Sequence, residues 1–378
     1  MFSSIRKSIK DYIVHTDILL ITLSLISSFY GLILVSSATR SFSSNRNVII
    51  QFAAIVIGFV AMIIISQIDY ENLGDIWLFL YIAGIAIMIF TIIFGTGPTN
   101  SGNRNWIDLK IISVQPSEFV KLIFIVSLAA VISRFRETLS FLKNLFLVLL
   151  LIGIMAALLL IQGDMGTTLV FLFIAVVMLF CGGLKLRYFI GAGILIIIAA
   201  PFIWTYGLTN YMRNRILFGF NPELDATNVG YQVVQSKIAI GSGKLLGKGL
   251  YNGPQIQNSV VPAKQTDFIF AVAGEELGFI GAVLVILLLV LIMLRILVNA
   301  RNCESSMGTL ICIGVFAMFF AQTFENIGMC IGILPVIGIT LPLFSYGGSS
   351  IVSVFCSLGL VLSVYIHKKT LTFYNTND

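Results

Sequence analysis

Charged residues are scarce in this chain of 378 residues: they make up 11% of it, whereas hydrophobic residues make up 58%. A soluble protein carries about 25% charged residues, and the mean hydropathy here is +1.01. So little charge excludes an ordinary soluble domain, because lipid must be the main solvent of the chain. The net charge of +6 is modest, and it indicates no nucleic-acid partner, since basic residues beside membrane spans also set orientation.

Metal-ligating and nucleophilic side chains are few as well. The chain has two histidines, His15 and His367, which lie near its ends, and five scattered cysteines without CxxC or Cys/His spacing. This pattern predicts neither a zinc site nor a disulfide framework, and no Ser/His/Asp arrangement is visible. Acid–base chemistry must therefore come from carboxylates, lysine or tyrosine.

Long apolar runs are what the sequence has in abundance. A bilayer core needs about 20 apolar residues per helix, and ten such segments are present: 18–37, 48–67, 76–95, 116–133, 144–162, 166–183, 189–207, 268–294, 308–330 and 343–366. The first is longer than the apolar part of a signal peptide, about 7–15 residues, so we expect an uncleaved span. We predict an all-α polytopic membrane protein with about ten transmembrane helices, forming a single transmembrane domain over residues 1–378.

Lysine and arginine are distributed unevenly between the two predicted sides of the membrane. With the N-terminus inside, twelve flank the inner ends of the spans, among them Arg6, Lys7 and Lys10, against four in short outer loops. The positive-inside rule then places both termini in the cytoplasm. One long loop, 208–267, lies outside between the seventh and eighth spans. Its stretch 231–250 predicts a short amphipathic helix at the outer interface and then a glycine-rich turn.

Charged residues inside or beside the spans are candidates for function, because placing one in a membrane helix costs about 2.5–3.5 kcal/mol. In QPSEFVKL, 115–122, Glu118 and Lys121 share one helical face, where they form either a structural ion pair or an anion site. In GNRNWIDL, 102–109, Arg104 and Trp106 fit an interfacial anchor, or a phosphate-binding arginine beside an aromatic platform.

Further carboxylates stand at predicted span boundaries. Asp164, in QGDMGT between two spans, either caps the next helix or shapes a cation site. Asp267 stands at the outer rim of the predicted eighth span, as a cap or as a base whose pKa partial desolvation raises. Glu275 and Glu276 follow about 12–14 Å deeper in that span. Like Glu325, they favour a structural network in the bundle.

The loop segment GSGKLLGKG, 241–249, differs from the GxxxxGK[ST] pattern, so we expect no nucleotide-binding loop. Its backbone amides, together with Lys237, Lys244 and Lys248, suit a lipid pyrophosphate or simply anionic headgroups.

Motifs spread along essentially the whole chain resemble the SEDS proteins of shape, elongation, division and sporulation. They are GNRNWIDL, QPSEFVKL, GDMGT, GYQVVQSKIAIGSG, VPAKQTDFIFAVAGEELG and the closing NIGMCIGILPVIGITLPLFSYGGSS, 326–350. The closing stretch is the most specific of them. Phe119 and Lys237 resemble the RodA branch more than the FtsW or SpoVE branches.

The resemblance implies ten spans and peptidoglycan glycosyltransferase activity on lipid II in the bacterial plasma membrane, at an extracytoplasmic active site that serves elongation and shape. It places the catalytic aspartate at Asp267 and supporting charged positions at Arg104, Glu118, Lys121 and Asp164. The remaining candidates for binding substrate are Trp106, Lys237, Gln265, Thr266 and Ser345. Ala263 and Gln265 replace the usual glutamate and histidine, and Gly163 replaces a proline, which weakens expectations for the neighbours but leaves Asp267 in place.

The implied reaction gives each candidate a task. Asp267 would take the proton of the acceptor 4-hydroxyl, while Arg104, Lys121 and the loop lysines would meet the leaving pyrophosphate. A divalent cation, Mg²⁺ or Mn²⁺, fits the same chemistry, although no ligand spacing identifies it. The resemblance also implies a class B penicillin-binding protein, a transpeptidase, and other elongation or division machinery as partners.

Two other classes remain open. A lipid II flippase or ion-coupled transporter also uses buried acids and glycine-interrupted helices, and a pure scaffold is the third class. The charged candidates cluster toward the predicted outer face rather than the membrane midplane, which favours the enzyme.

Overall fold

Helices dominate the architecture because a backbone in lipid must satisfy its own hydrogen bonds. The structure, a computed structural model, describes residues 16–42, 45–97, 104–108, 110, 113–207, 210–222, 225 and 229–374. Its helices are α1 (Ile18–Ala38), α2 (Arg46–Ser66), α3 (Tyr70–Asp75), α4 (Trp77–Phe94), α5 (Pro116–Arg134), α6 (Leu142–Ile161), α7 (Met165–Cys181), α8 (Leu186–Phe202), α9 (Asn210–Phe220), α10 (Val229–Ser242), α11 (Pro254–Gln257), α12 (Ile269–Glu276), α13 (Gly278–Arg301), α14 (Ser306–Cys330) and α15 (Gly348–Tyr374).

The predicted all-α class is confirmed, and each of the ten apolar segments overlaps a helix. Within the described part of the chain, eight helices are long and apolar enough to cross a membrane, namely α1, α2, α4, α5, α6, α13, α14 and α15. The two other apolar helices, α7 and α8, have 17 residues each. The number of ten spans therefore stays a prediction. Arg6, Lys7 and Lys10, which contributed to the predicted orientation, lie outside the described residues.

The middle of the bundle is formed by α5, α14 and α15. α15 packs along the length of α2, while α14 packs against α7, α13 and α5. At one end of the bundle, the buried Asp17 carboxylate accepts hydrogen bonds from Arg295 Nε at 2.7 Å and from Asn299 Nδ2 at 2.8 Å. This pairing joins the start of α1 to the end of α13 and leaves the opposite end for the cavity described below.

The predicted eighth span, 268–294, is wrong as one continuous helix. The structure has a short buried helix, α12, which ends before Leu277, and the long helix α13, which starts at Gly278. Gly278 has φ +65°, and a Cβ at this position would lie 2.3 Å from the Gly247 nitrogen. The glycine-rich turn thus crosses the chain where the helix breaks, and only glycine allows both the backbone conformation and the close approach.

The long loop 208–267 contains more order than the sequence indicated. The predicted amphipathic helix is confirmed as α10, whose residues Val233, Ser236 and Ala239 are buried, and it packs against α12. α9 and α11 were not predicted, because their sequences show little apolar periodicity. The helix that corresponds to the tenth predicted span, α15, starts at Gly348 rather than 343 and runs to Tyr374.

A two-stranded hairpin was also not predicted. Strands β1 (Ile107–Asp108) and β2 (Ser113–Val114) pair antiparallel, and Trp106 forms an isolated bridge with Thr96. The hairpin brings residues 106–108 of the GNRNWIDL stretch next to the start of α5.

Candidate functional site

A polar cavity of about 310 Å³ lies where α5, α7 and α15 begin. Six of the ten predicted site residues line it: Trp106, Glu118, Lys121, Asp164, Thr266 and Asp267. These residues come from four separate parts of the chain, so their convergence at one end of the bundle depends on the whole fold.

Asp267 is held on a tight turn that precedes α12. The Ala263 carbonyl accepts hydrogen bonds from three successive amides, those of Thr266, Asp267 and Phe268, at 3.1–3.2 Å. Asn326 Nδ2 donates to the Asp267 carbonyl at 2.8 Å. A Cβ at Gly338 would lie 3.4 Å from Asp267 Oδ2. The carboxylate therefore stands on a fixed backbone at the edge of the cavity, beside a residue with no side chain.

Glu118 and Lys121 form a buried ion pair in the first turns of α5. The Lys121 Nζ–Glu118 Oε1 distance is 2.9 Å, and 1% of the lysine surface is exposed. Ser353 Oγ on α15 donates to Glu118 Oε2 at 2.9 Å. Pro116 at the start of α5 fixes where the helix begins, and the spacing of three residues puts both charges on one face. The ammonium thus enters the cavity already neutralised by a neighbour.

Asp164 is the N-cap of α7, as one of the two sequence interpretations proposed. Its Oδ1 accepts from the Thr167 amide at 3.0 Å, and its Oδ2 accepts from Thr167 Oγ1 at 2.8 Å. Gln115 Nε2 donates to the same Oδ2 at 3.2 Å. Burial raises the pKa of Asp164 above its usual range, and the hydrogen bonds from Thr167 oppose that rise. Asp164 both caps α7 and lines the cavity, so its role as a cap does not exclude a role in a cation site.

Ser345 and Gln265 form hydrogen bonds just outside the cavity. Ser345 Oγ donates to the Thr266 carbonyl at 2.6 Å and accepts from the Leu341 amide at 2.8 Å. The Gln265 carbonyl accepts from the Tyr346 amide at 2.8 Å. Neither residue lines the cavity. They tie the turn of Asp267 to the segment before α15.

Arg104 and Lys237 are not brought into the cavity. Arg104 is exposed, and its Nη1 donates to the Ile92 carbonyl at 3.3 Å. Lys237 is exposed on α10, with its methylene carbons beside Gly332. Their predicted contact with a pyrophosphate stays a prediction, and it requires movement from the positions seen here.

Several lining residues were not singled out from the sequence. Gln115 and Tyr346 stand inside the motifs QPSEF and SYGG, and each contacts the turn or the cap described above. Asn105 Oδ1 and Gln322 Oε1 are buried with no hydrogen-bond partner, and both residues line the cavity. A glutamine inside an apolar helix was the signal that could have pointed to Gln322.

Glu275 and Glu276 hold a loop rather than lying deep in a membrane span. Both are fully buried, at the end of α12. Glu275 accepts from the amides of Gln255 and Ile256 at 3.1 and 2.9 Å, and its Oε1 lies 3.1 Å from Lys248 Nζ. These contacts are those of a structural network, as the sequence analysis favoured, while the expected separation of about 12–14 Å from Asp267 stays a prediction.

Glu276 and Glu325 are the two remaining acids that the sequence analysis assigned to a structural network. Glu276 accepts from the Tyr251 amide at 3.1 Å, from Gln257 Nε2 at 2.8 Å and from Ser37 Oγ at 2.5 Å. Glu325 is half-buried in α14, and its Oε2 has no hydrogen-bond partner. Glu276 thus belongs to a structural network, whereas the structure places no such network around Glu325 Oε2.

A divalent ion fits the cavity only with help from a substrate. The described residues contain no group of three or more His, Cys, Asp or Glu placed to hold a metal. Asp164 and Asp267 offer hard oxygens to one cavity, and the unpaired oxygens of Asn105 and Gln322 add neutral ligands. Mg²⁺ is usually bound by one or two carboxylates plus substrate phosphates, which is the arrangement that these residues suit.

The fold and cavity define a polytopic helical membrane protein with a cavity at one end of the bundle, lined by four acidic or basic residues, Glu118, Lys121, Asp164 and Asp267. The family model described as cell cycle protein, FTSW_RODA_SPOVE, matches residues 13–370. The chain belongs to this family.

Named relatives match over nearly their whole length. Peptidoglycan glycosyltransferase MrdB of Escherichia coli K12 is 36% identical over 364 residues, covering 95% of this chain and 96% of the relative. Stage V sporulation protein E of Bacillus subtilis is 33% identical over 366 residues, covering 92% and 96%. These values confirm the resemblance seen in the motifs.

Solved structures share the fold. A chain from a peptidoglycan synthase complex that coordinates polymerization and crosslinking superposes with a TM-score of 0.82 at 28% identity, covering 93% of this chain and 98% of that one. Rod shape determining protein RodA of Thermus thermophilus gives 0.70 at 27% identity, covering 93% and 97%.

Proposed function

We propose that the chain is a peptidoglycan glycosyltransferase that polymerises lipid II into glycan strands, with Asp267 as the general base. The observation that carries the proposal is the placement of Asp267 on a rigid turn in the one cavity that also holds Asp164 and the Glu118–Lys121 pair. The whole-length similarity to a peptidoglycan glycosyltransferase supports the same activity.

The reaction needs one base and one leaving group. The acceptor 4-hydroxyl loses its proton to Asp267 as its oxygen attacks the anomeric carbon of the donor. A new glycosidic bond forms, the bond from that carbon to the lipid pyrophosphate breaks, and the electron pair leaves with the pyrophosphate. This single displacement inverts the anomeric centre.

Asp267 serves this reaction through its position. The turn and the Asn326 hydrogen bond fix the backbone, which limits the entropy lost when the base meets the hydroxyl. Gly338 leaves room beside Oδ2 for the acceptor. When a divalent cation is bound by Asp164 and the substrate phosphates, it offsets charge on the leaving group.

The proposed activity also implies where the protein works. The cavity faces the outer side of the bacterial plasma membrane, where lipid-linked sugars are polymerised, and both chain termini lie in the cytoplasm. The MrdB and RodA similarities favour elongation and shape over division. A class B penicillin-binding protein is the expected partner, in line with the similarity to a synthase complex.

The transporter alternative predicts binding groups near the membrane midplane. Asp164, Asp267 and Lys121 instead lie at helix starts, at one end of the bundle. The observed placement favours chemistry at the membrane boundary.

Purified protein in detergent or nanodiscs, supplied with lipid II, tests the activity directly. Asp267→Asn keeps the size of the side chain but removes the base, so we expect glycan polymerisation to fall by about 100-fold or more. Wild type should depend on added Mg²⁺ or Mn²⁺, with chelation lowering the rate.

Asp75→Asn is the matched control, because Asp75 is an exposed carboxylate outside the cavity; its activity should equal that of the wild type. Full activity of Asp267→Asn, at a thermal stability equal to that of the wild type, would refute Asp267 as the base. Wild type that moves fluorescent lipid II between leaflets without making glycan would favour the flippase.

A further inference from the structure

Lys264 is one of the largest fully buried side chains of the protein, although it belongs to a loop, three residues before Asp267. Only 2% of its surface is exposed. Its Nζ donates to the Ile256 carbonyl, to Ser41 Oγ at 2.9 Å and to Ser259 Oγ at 3.1 Å. The ammonium thus joins the turn of Asp267 to α11 and to the segment that follows α1.

The surroundings of this ammonium are neutral or aromatic. All three hydrogen-bond acceptors are uncharged oxygens, and the Phe42 ring centroid lies 5.6 Å from Nζ. Burial lowers the pKa of Lys264, and the charge of Glu276 opposes that change. A buried ammonium is costly, and an apolar side chain would fill the same space at a lower cost. The link between three segments, rather than the filling of space, therefore gives Lys264 a role.

The turn of Asp267 begins with a residue in a strained conformation. Ala263 has φ +47°, in the left-handed region that residues with a Cβ rarely adopt. Its carbonyl accepts from the amides of Thr266, Asp267 and Phe268, so the turn depends on this conformation. Such a conformation persists where neighbouring contacts fix it, and the next residue is the buried Lys264.

The side-chain hydrogen bonds described above hold the later part of the turn. Asn326 donates to the Asp267 carbonyl and Ser345 donates to the Thr266 carbonyl, which joins these residues to α14 and to the segment before α15. Lys264 holds the earlier part, from α11 and from the segment after α1. The turn is thus fixed from two different regions of the fold, and Lys264 provides the contact with one of them.

We propose that Lys264 is a positioning residue, whose ammonium fixes the strained turn at Ala263 and thereby sets where the Asp267 carboxylate stands relative to the acceptor hydroxyl. The proposal rests on the glycosyltransferase function proposed above, with Asp267 as the base. Lys264 does not line the cavity, so it acts through the backbone of the turn. The rate falls when the turn samples other conformations, because a misplaced base meets the hydroxyl less often.

Lys264→Met removes the ammonium and keeps a long side chain. Each acceptor retains another partner, since the Ile256 carbonyl also accepts from the Ser259 amide at 3.1 Å and the hydroxyls of Ser41 and Ser259 lie 3.2 Å apart. The substitution also removes the cost of burying a charge, so we expect a melting temperature close to that of the wild type. Hydrogen exchange of the amides of 266–268 should be about tenfold faster, and kcat for lipid II polymerisation about tenfold lower at an unchanged KM.

Two further variants test the link to the strained turn. Glycine adopts the left-handed conformation without penalty, so adding Ala263→Gly to Lys264→Met should raise kcat and slow the exchange of 266–268 by about threefold relative to Lys264→Met alone. A loss of kcat with any other cause would not be recovered in this way. Lys264→Arg keeps the charge and the donors, so it should retain more of kcat than Lys264→Met.

Arg295→Met is the matched control, because Arg295 is a cation that bonds the buried Asp17 at the opposite end of the bundle. It should lower the melting temperature and leave both kcat and the exchange of 266–268 unchanged. Exchange equal to that of the wild type in Lys264→Met would overturn the proposal, as would faster exchange at an unchanged kcat. A wild type that makes no glycan would refute the glycosyltransferase function, whereas the exchange of 266–268 would still decide whether Lys264 holds the turn.

Discussion

Asp267 owes its position to atoms that belong to other parts of the chain. Asn326 Nδ2 donates to the Asp267 carbonyl at 2.8 Å and to the Ile339 carbonyl at 2.7 Å. Ser345 Oγ donates to the carbonyl of Thr266, the residue before it. One amide and one hydroxyl therefore join the turn of Asp267 to α14 and to the segment before α15.

Replacing Asn326 should harm catalysis without touching the substrate. Asn326→Leu removes the side-chain amide that donates to two carbonyls, at a cost of about 1–3 kcal/mol each. The Asp267 carbonyl then keeps the weaker thiol donor of Cys330, at 3.6 Å, in place of the amide, so the turn of Asp267 loosens. We expect kcat for lipid II polymerisation to fall at least about tenfold, with a lower melting temperature, measured on the folded protein.

Asn299→Leu provides the comparison, since Asn299 is an equally buried asparagine that bonds Asp17 at the opposite end of the bundle. It should lower the melting temperature but keep kcat. Equal kcat values in the two variants would contradict a positioning role for Asn326.

The sequence pointed to most of the charged residues of the cavity and missed a neighbouring chamber of about 330 Å³, which Arg46 lines. Asp267, Asp164, Glu118 and Lys121 could be predicted, because charge in an apolar chain is costly and therefore conspicuous. Arg46 could not, since an arginine at the start of a span is the ordinary sign of an inner or outer flank. Only the fold shows that it faces a chamber next to Asp267.

At the level of elements, the break between α12 and α13 positions the loop segment that follows α10. Glu275 and Glu276, at the end of α12, accept hydrogen bonds from the amides of Gln255, Ile256 and Tyr251. The loop after α10 is thus folded around two fully buried carboxylates. No periodicity reports such a break, which depends on contacts between the glycines at 247 and 278.

Glu275→Gln should loosen this loop. The substitution keeps one acceptor oxygen but turns an NH₂ group toward the donors of residues 248, 255 and 256, at a cost of about 1–3 kcal/mol. We expect faster hydrogen exchange of the amides in 248–257 and a lower melting temperature. Glu304→Gln, in the short connection between α13 and α14, should leave both unchanged; exchange in 248–257 equal to that of wild type would show that the carboxylate charge is not what holds the loop.

On the scale of the whole molecule, ionisable residues are divided between two ends about 30 Å apart, the length of a 20-residue helix. The Asp17–Arg295 pair lies at one end, and the Asp267 cavity lies at the other. The helical class and the span positions could be predicted, because segment length and hydropathy decide them in lipid. The side on which each end lies follows from the charge bias alone.

Accessibility of single cysteines tests that orientation. Asn258 lies in the predicted outer loop and Asn302 follows α13 at the opposite end of the bundle, and both positions are exposed; each is replaced by cysteine. In a background with Cys181→Ser and Cys303→Ser, where the remaining cysteines are buried, a membrane-impermeant maleimide should label position 258 in intact cells and position 302 only after permeabilisation. Labelling in the reverse order would place Asp267 in the cytoplasm and remove the basis for the proposed reaction.

The tethering of the Asp267 turn to α14 and to the start of α15 has a mechanical consequence. A partner that shifts α14 against α15 by a fraction of an ångström would move the Asp267 carboxylate toward or away from the acceptor hydroxyl. It would do so without contacting the sugar. A turnover rate that falls steeply with misplacement of the reacting groups would then respond to pressure applied to the helix bundle from outside.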